Sequence, residues 1–160
     1  MKKLIFLMAT AAVLVLTSCG SKKPAITTAA YHSYETECMG KDMDGKQTLK
    51  VWAAGKSRAD ALKQARKKAV YDIVFNGVTA GSGDCNSYPV VDEPNARKKY
   101  EAYFDKFFAD GGAWHKFVDE QESRSNADQF RGDGNQTWGI VVKVDRPALR
   151  KRLVKDKIIK

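Results

Sequence analysis

The sequence predicts an α+β domain, an antiparallel sheet of about four strands with helices packed on one face, in the order strand, strand, helix, helix, strand, strand, helix. Three observations predict it. The segments "QTLKVWAAG" and "TWGIVVKVD" alternate apolar and polar residues with the period of a half-buried strand. Between them lie two stretches with helical spacing, the first with a capping signature. The reversals "GKDMDGK" and "FRGDGNQ" supply the Gly, Asp and Asn that hairpins need.

Taken in order, "YHSYETEC" alternates weakly and reads as the first strand. "QTLKVWAAG" follows, with Leu49, Val51 and Ala53 on one face and Thr48, Lys50 and Trp52 on the other. Asp42, Asp44 and Gly45 have the spacing of the third, fifth and sixth positions of an EF-hand loop. Gly40 and Val51 would then occupy the first and twelfth positions, where carboxylates are needed, so the segment is read as a hairpin turn. Ser57 and Asp60 have capping-box spacing, and Ala61, Leu62, Ala65, Ala69 and Ile73 follow at helical intervals before Gly77. A face this small lets a helix approach a sheet closely. Val78 to Glu93 reads as a long loop containing Cys85. Its Gly81 and Gly83 follow a helix instead of joining a strand to one, so they lack the context of a phosphate cradle.

The second helix is expected from Asn95 to Ala109. Tyr100, Tyr103, Phe104, Phe107 and Phe108 form one stripe, and Gly111-Gly112 ends it. A short helical turn over Ala113 to Val118 would bury Trp114 and Phe117. "TWGIVVKVD" then places Trp138, Ile140, Val142 and Val144 on one strand face. Asp145 caps a last helix with Pro147 in its first turn, and Leu149, Leu153 and Ile158 face the body.

The N-terminal residues carry a different message. Lys2 and Lys3 precede an apolar run from Leu4 to Leu16, thirteen residues where a spanning helix needs roughly 20. This reads as an export signal. Leu16-Thr17-Ser18-Cys19 resembles the lipobox of bacterial lipoproteins, and the resemblance implies cleavage before Cys19, diacylation of its thiol and acylation of its new amino group. Several acyl chains hold a soluble domain on a membrane where one holds weakly. The rival reading is an ordinary secretory signal that happens to end in a cysteine. The expected organisation is a lipoprotein signal peptide over 1–18, a lipidated cysteine and flexible tether over 19–29, and a single domain over 30–160.

Together with that lipobox, "AAGKSRADALKQARKKAVYDIV" resembles small bacterial lipoproteins that share a fold with the N-terminal domain of the flagellar assembly protein T. Ala61, Ala65 and Ala69 match their A-x-x-x-A-x-x-x-A helix. The resemblance implies an envelope component or assembly factor and no catalytic residue. "GSKKP" after Cys19 lacks the acidic run of a surface-export signal, which favours the periplasmic side of a membrane.

The chain carries 28 Lys and Arg against 19 Asp and Glu, a formal charge of +9. Loss of Lys2 and Lys3 with the signal leaves +7. Such a surface suits an anionic membrane or an acidic protein better than nucleic acid, which an exported protein rarely meets; the plainer reading is solvated helix faces. Cys38 and Cys85 form an even pair, expected as a disulfide in an oxidising compartment. Bridged, they enclose 46 residues, worth about 4 kcal/mol in the loop-entropy model; two buried free thiols are the alternative.

His32 and His115 lack metal-ligand spacing to either cysteine, no G-x-S-x-G occurs, and Arg131-Gly132-Asp133 is a three-residue match of low specificity. No metal, cofactor or catalytic residue is therefore expected. The function expected is that of a non-enzymatic lipoprotein, bound to the membrane through Cys19 and to an envelope protein partner. The alternative is a periplasmic module in which the 78–93 loop and the aromatic helix hold a small molecule or glycan against Tyr100, Tyr103 or Trp114.

Overall fold

The computed structural model describes residues 36–81, 84–120, 129–131 and 136–160. The expected signal peptide, Cys19, the tether, most of "YHSYETEC" with His32, Gly83, and Gly132-Asp133 lie outside the described residues.

The alternation in the two longest strands produces the centre of the molecule. β2 (Gln47–Gly55) and β6 (Gln136–Val144) pair antiparallel over their whole length, from Gln47 opposite Val144 to Gly55 opposite Gln136. Leu49, Val51, Ile140, Val142 and Val144 are buried on one face, as expected. Thr48, Lys50, Trp52, Val141 and Lys143 on the other face are half-buried.

β1 (Glu37–Lys41) pairs antiparallel with β2, so the expected hairpin is present. Asp42 N–H donates to the Lys46 carbonyl at 2.8 Å, and Gly45 N–H donates to the Asp42 carbonyl at 2.9 Å. The strand runs three residues past Cys38, where the expected one ended, and its register shifts between Cys38 and Gly40.

Two expectations need correction. The sheet has six strands instead of about four, and it is mixed: five run in the order β3-β1-β2-β6-β4, and β5 also pairs with β6. β3 (Ala80–Gly81), inside the expected loop, lies parallel to β1, while β4 (Val118–Glu120) and β5 (Gln129–Arg131) pair antiparallel with opposite ends of β6. Strands of two or three residues are too short to show a period and form because a neighbour offers an unpaired edge. Gly81 marks one such place. Its φ is +106°, and a Cβ there would stand 2.2 Å from the Cys38 carbonyl oxygen.

The second correction concerns the aromatic helix, which kinks at Tyr100 (φ −110°, ψ 36°) into α2 (Ala96–Lys99) and α3 (Glu101–Phe107). Tyr100, Phe104 and Phe108 still donate N–H to the carbonyls of Ala96, Tyr100 and Phe104. The four-residue spacing thus survives the kink, which is why the sequence pattern does not reveal it.

Helix α1 (Arg58–Tyr71) begins as its cap predicts, with Asp60 N–H donating to Ser57 Oγ at 3.2 Å. Ala61, Ala65 and Ala69 are wholly buried, and the helix lies against β2 and β6. It continues into a π turn, Asp72–Asn76, closed by Gly77 at φ +75°. A helix end leaves carbonyls without helical partners; here Ile73 and Val74 accept the N–H groups of Val90 and Val91, both at 2.9 Å, and so fix the returning loop.

The carboxylate of Asp72 is buried and fully engaged. It accepts from Thr36 Oγ1, from Lys68 Nζ at 2.6 Å and from Asn76 Nδ2 at 2.8 Å. Phe104 stacks edge-on against Phe75, with centroids 4.7 Å apart. After a 3₁₀ turn (Ala113–Phe117) the chain enters β4, whose Val118 carbonyl accepts from Arg66 of α1 at 2.7 Å.

Helix α4 (Arg146–Lys155) starts at Asp145, which accepts from Ala148 N–H at 2.8 Å. It ends in a Schellman motif: Ile158 N–H donates to Leu153 and Lys157 N–H to Val154, with Lys157 left-handed at φ 60°. Leu149, Leu153 and Ile158 are buried, as expected.

Cys38 and Cys85 stand at disulfide distance, Sγ to Sγ 2.03 Å. Mass analysis of the unreduced protein should recover them as one linked peptide pair, and two freely alkylated thiols would show the bond does not form. Ala65→Leu should lower stability by about 1–3 kcal/mol through overpacking; an unchanged melting curve would mean that the helix can move off the sheet at no cost.

Candidate functional site

At one end of the sheet the β1–β2 turn meets the first turn of α4. The sequence arranges this contact locally. Asp145 closes β6 and caps the helix, Pro147 fills its first turn, and Gly45 takes a left-handed φ of +85° beside it. A Cβ at Gly45 would lie 2.9 Å from Pro147 Cγ, so the turn and the helix touch there. Beside the contact is an open concavity of about 600 Å³. Lys41, Asp42, Asn86, Arg146 and Arg150 line it, with Met43 at its edge.

The charges in this wall are unbalanced. Asp42 is engaged by Lys143 Nζ at 2.8 Å. Among the described residues, Lys41, Arg146 and Arg150 have no ion pair, whereas Lys63, Lys68, Arg97, Lys99 and Arg152 each pair with a carboxylate at 2.9 Å or less. Arg146 is half-buried, and its Nη1 is buried without a hydrogen-bond partner among the described residues. Burial, and secondarily the positive charge of Arg150, hold the Arg146 guanidinium below its ordinary range.

A second unpaired polar group is close in register. Gln47 is opposite Lys41 on one side and Val144 on the other. It is wholly buried, and neither its Oε1 nor its Nε2 finds a partner among the described residues. A buried amide left so costs about 1–3 kcal/mol. This end of the sheet is thus polar, cationic and under-satisfied, an arrangement that can receive an anion.

The residues expected to hold a ligand are placed elsewhere, and none of the three lines this concavity. Trp114 is buried, with its indole N–H donated to the Ala109 carbonyl at 2.9 Å. Tyr100 is half-buried under the Lys99 ammonium, 5.0 Å from its ring. Tyr103 packs edge-on against Phe104, with centroids 5.2 Å apart, and donates its hydroxyl to Asp156 Oδ2 at 2.7 Å. From the 78–93 loop, Asn86 does reach the concavity, next to the Cys85 that ties the loop to β1. Cys19 lies outside the described residues. No group of three His, Cys, Asp or Glu that could hold a metal is found among the described residues.

Sequence reasoning missed Arg146, Arg150 and Lys41. One signal was available. Arg146 is the first residue of a capped helix, where the macrodipole favours anions, and Arg150 repeats the positive charge one turn on.

Tyr103 and Asp156 form a titratable tie between α3 and the end of α4. Burial and the Asp156 carboxylate push the Tyr103 hydroxyl up. Burial alone would raise Asp156, but the Tyr103 hydroxyl and the Arg152 guanidinium outweigh it, and its carboxyl sits below the usual range. Its stabilisation is therefore present above the ordinary carboxylate pKa of about 3.9 and lost as pH falls through the lowered value. Tyr103→Phe should cost about 1–2 kcal/mol at neutral pH, and the gap to wild type should close towards pH ~2. An equal gap at both values would assign the effect to ring packing alone. Compared with protein-family models, curated proteins and solved structures, the chain matches none.

Proposed function

We propose that this protein is a membrane-anchored lipoprotein of the bacterial cell envelope, facing the periplasm, which acts as a non-enzymatic binding or assembly factor for another envelope component. The observation that carries this reading is Leu16-Thr17-Ser18-Cys19 directly behind a basic dipeptide and a thirteen-residue apolar run. Acylated Cys19 holds the chain to the lipid surface, and residues 19–29 give the domain reach.

Two features of the domain support the reading. A Cys38–Cys85 pair at disulfide distance suits an oxidising compartment. Met43 at the hairpin turn and Tyr88 in the long loop are apolar side chains left largely exposed, the kind of surface a partner covers. The membrane is one partner and an envelope protein the other; nucleic acid and metal have no place in this reading.

The test is fractionation joined to crosslinking in intact cells. Wild-type protein should be found with membranes and carry an acyl label, and Cys19→Ala should release it. A discrete envelope protein should be captured only with the anchored form. Retention of the unlabelled variant on membranes would remove the anchor. Capture of nothing but the chain itself would remove the assembly role.

A further inference from the structure

We infer that the concavity between the β1–β2 turn and α4 is a binding site for a phosphate group, with Arg146 and Arg150 as its principal ligands and Lys41 and Asn86 completing it. This goes beyond the anchoring and assembly reading and does not depend on it.

The argument begins with what the folded chain leaves uncompensated. Three cationic side chains line one concavity, and the single acid in its wall is already engaged by Lys143. Like charges four residues apart on a helix repel, so Arg146 and Arg150 together weaken α4 unless an anion lies between them. Arg146 Nη1 is buried with no acceptor among the described residues, and a guanidinium desolvated in this way costs free energy until an oxyanion reaches it.

The number of charges selects the anion. One carboxylate has a single charge and two oxygens. A phosphate monoester has close to two charges and three free oxygens, which matches two guanidinium forks and one ammonium. The volume of about 600 Å³ admits a ligand larger than the phosphate itself. That phosphate can come from a soluble phosphorylated molecule or from the headgroup of an anionic lipid.

The experiment uses the full chain in its Cys19→Ala form, in which no acyl chain can insert into a vesicle and the concavity is wild type, titrated with glycerol phosphate by calorimetry and tested for flotation with phosphatidylcholine vesicles lacking or containing phosphatidic acid. This form should bind glycerol phosphate saturably, or bind vesicles only when phosphatidic acid is present; the first outcome identifies a soluble ligand and the second a headgroup. Arg146→Gln and Arg150→Gln should each weaken that binding roughly tenfold or more, the loss of one charge-assisted hydrogen bond. Lys155→Gln, which removes a charge from the same helix away from the concavity, should leave it intact. Melting curves establish that each variant is folded. Failure of the Cys19→Ala form to bind either probe overturns the site whatever the variants do, and an equal loss in Lys155→Gln overturns it by showing diffuse surface charge.

Discussion

Packing of the alanine face of α1 on the β2–β6 ladder sets the geometry on which the other elements depend. Ala61, Ala65 and Ala69 are wholly buried, and each contributes one methyl group where a larger side chain would hold helix and sheet apart. Close approach lets one helix cover both central strands and brings Arg66 within reach of the Val118 carbonyl on β4. Alanine also has the highest helix propensity, so the residue that fits the gap is the one that favours the helix. Local preference and packing agree at these positions, which is why the segment folds as its pattern says.

From the end of α1 the constraint passes to β1 along three routes. The π turn offers the Ile73 and Val74 carbonyls to Val90 and Val91, so the long loop is held where it leaves the helix. Asp72 reaches back to Thr36, just before β1. The Cys38–Cys85 pair joins the loop to β1 itself, beside the parallel contact with Gly81. A five-residue strand with a register shift, flanked on its outer side by the two-residue β3, is weak by itself. Held by a buried carboxylate, a loop and a cysteine pair at disulfide distance, it keeps the hairpin turn fixed against α4.

What the sequence reveals and what it hides divide along physical lines. The faces of β2 and β6, the Ser57 and Asp145 caps, and the burial of Leu149, Leu153 and Ile158 are legible because period and capping act within a few residues. β3 and β4 are not legible, since a strand of two or three residues is induced by the edge it meets, whereas β5 pairs antiparallel with β6 as the expected second hairpin requires. The kink at Tyr100 is hidden because hydrogen bonds still run from 96 to 108 in steps of four. The aromatic stripe illustrates another limit. Its pattern states that Tyr100, Tyr103 and Phe104 share a face, but whether that face forms a core or a groove depends on Phe75, Phe117 and Asp156, which come from distant segments.

The concavity at the hairpin end shows why charge totals are a poor guide to a site. A diffuse excess of basic residues is compatible with solvated faces, where some cations, such as Lys68 and Arg152, pair with a carboxylate four residues away and others stand in solvent. Lys41, Arg146 and Arg150 stand apart because the fold gathers them from β1 and α4 around a single hollow. Each could be a solvated surface charge in isolation; Arg146 alone among them has a buried, unpartnered nitrogen. Burial separates the two cases. A solvated charge costs the fold almost nothing, whereas a desolvated one beside a like charge costs free energy, and at this end of the sheet the Asp145 cap and the Gly45–Pro147 contact hold the helix that carries it.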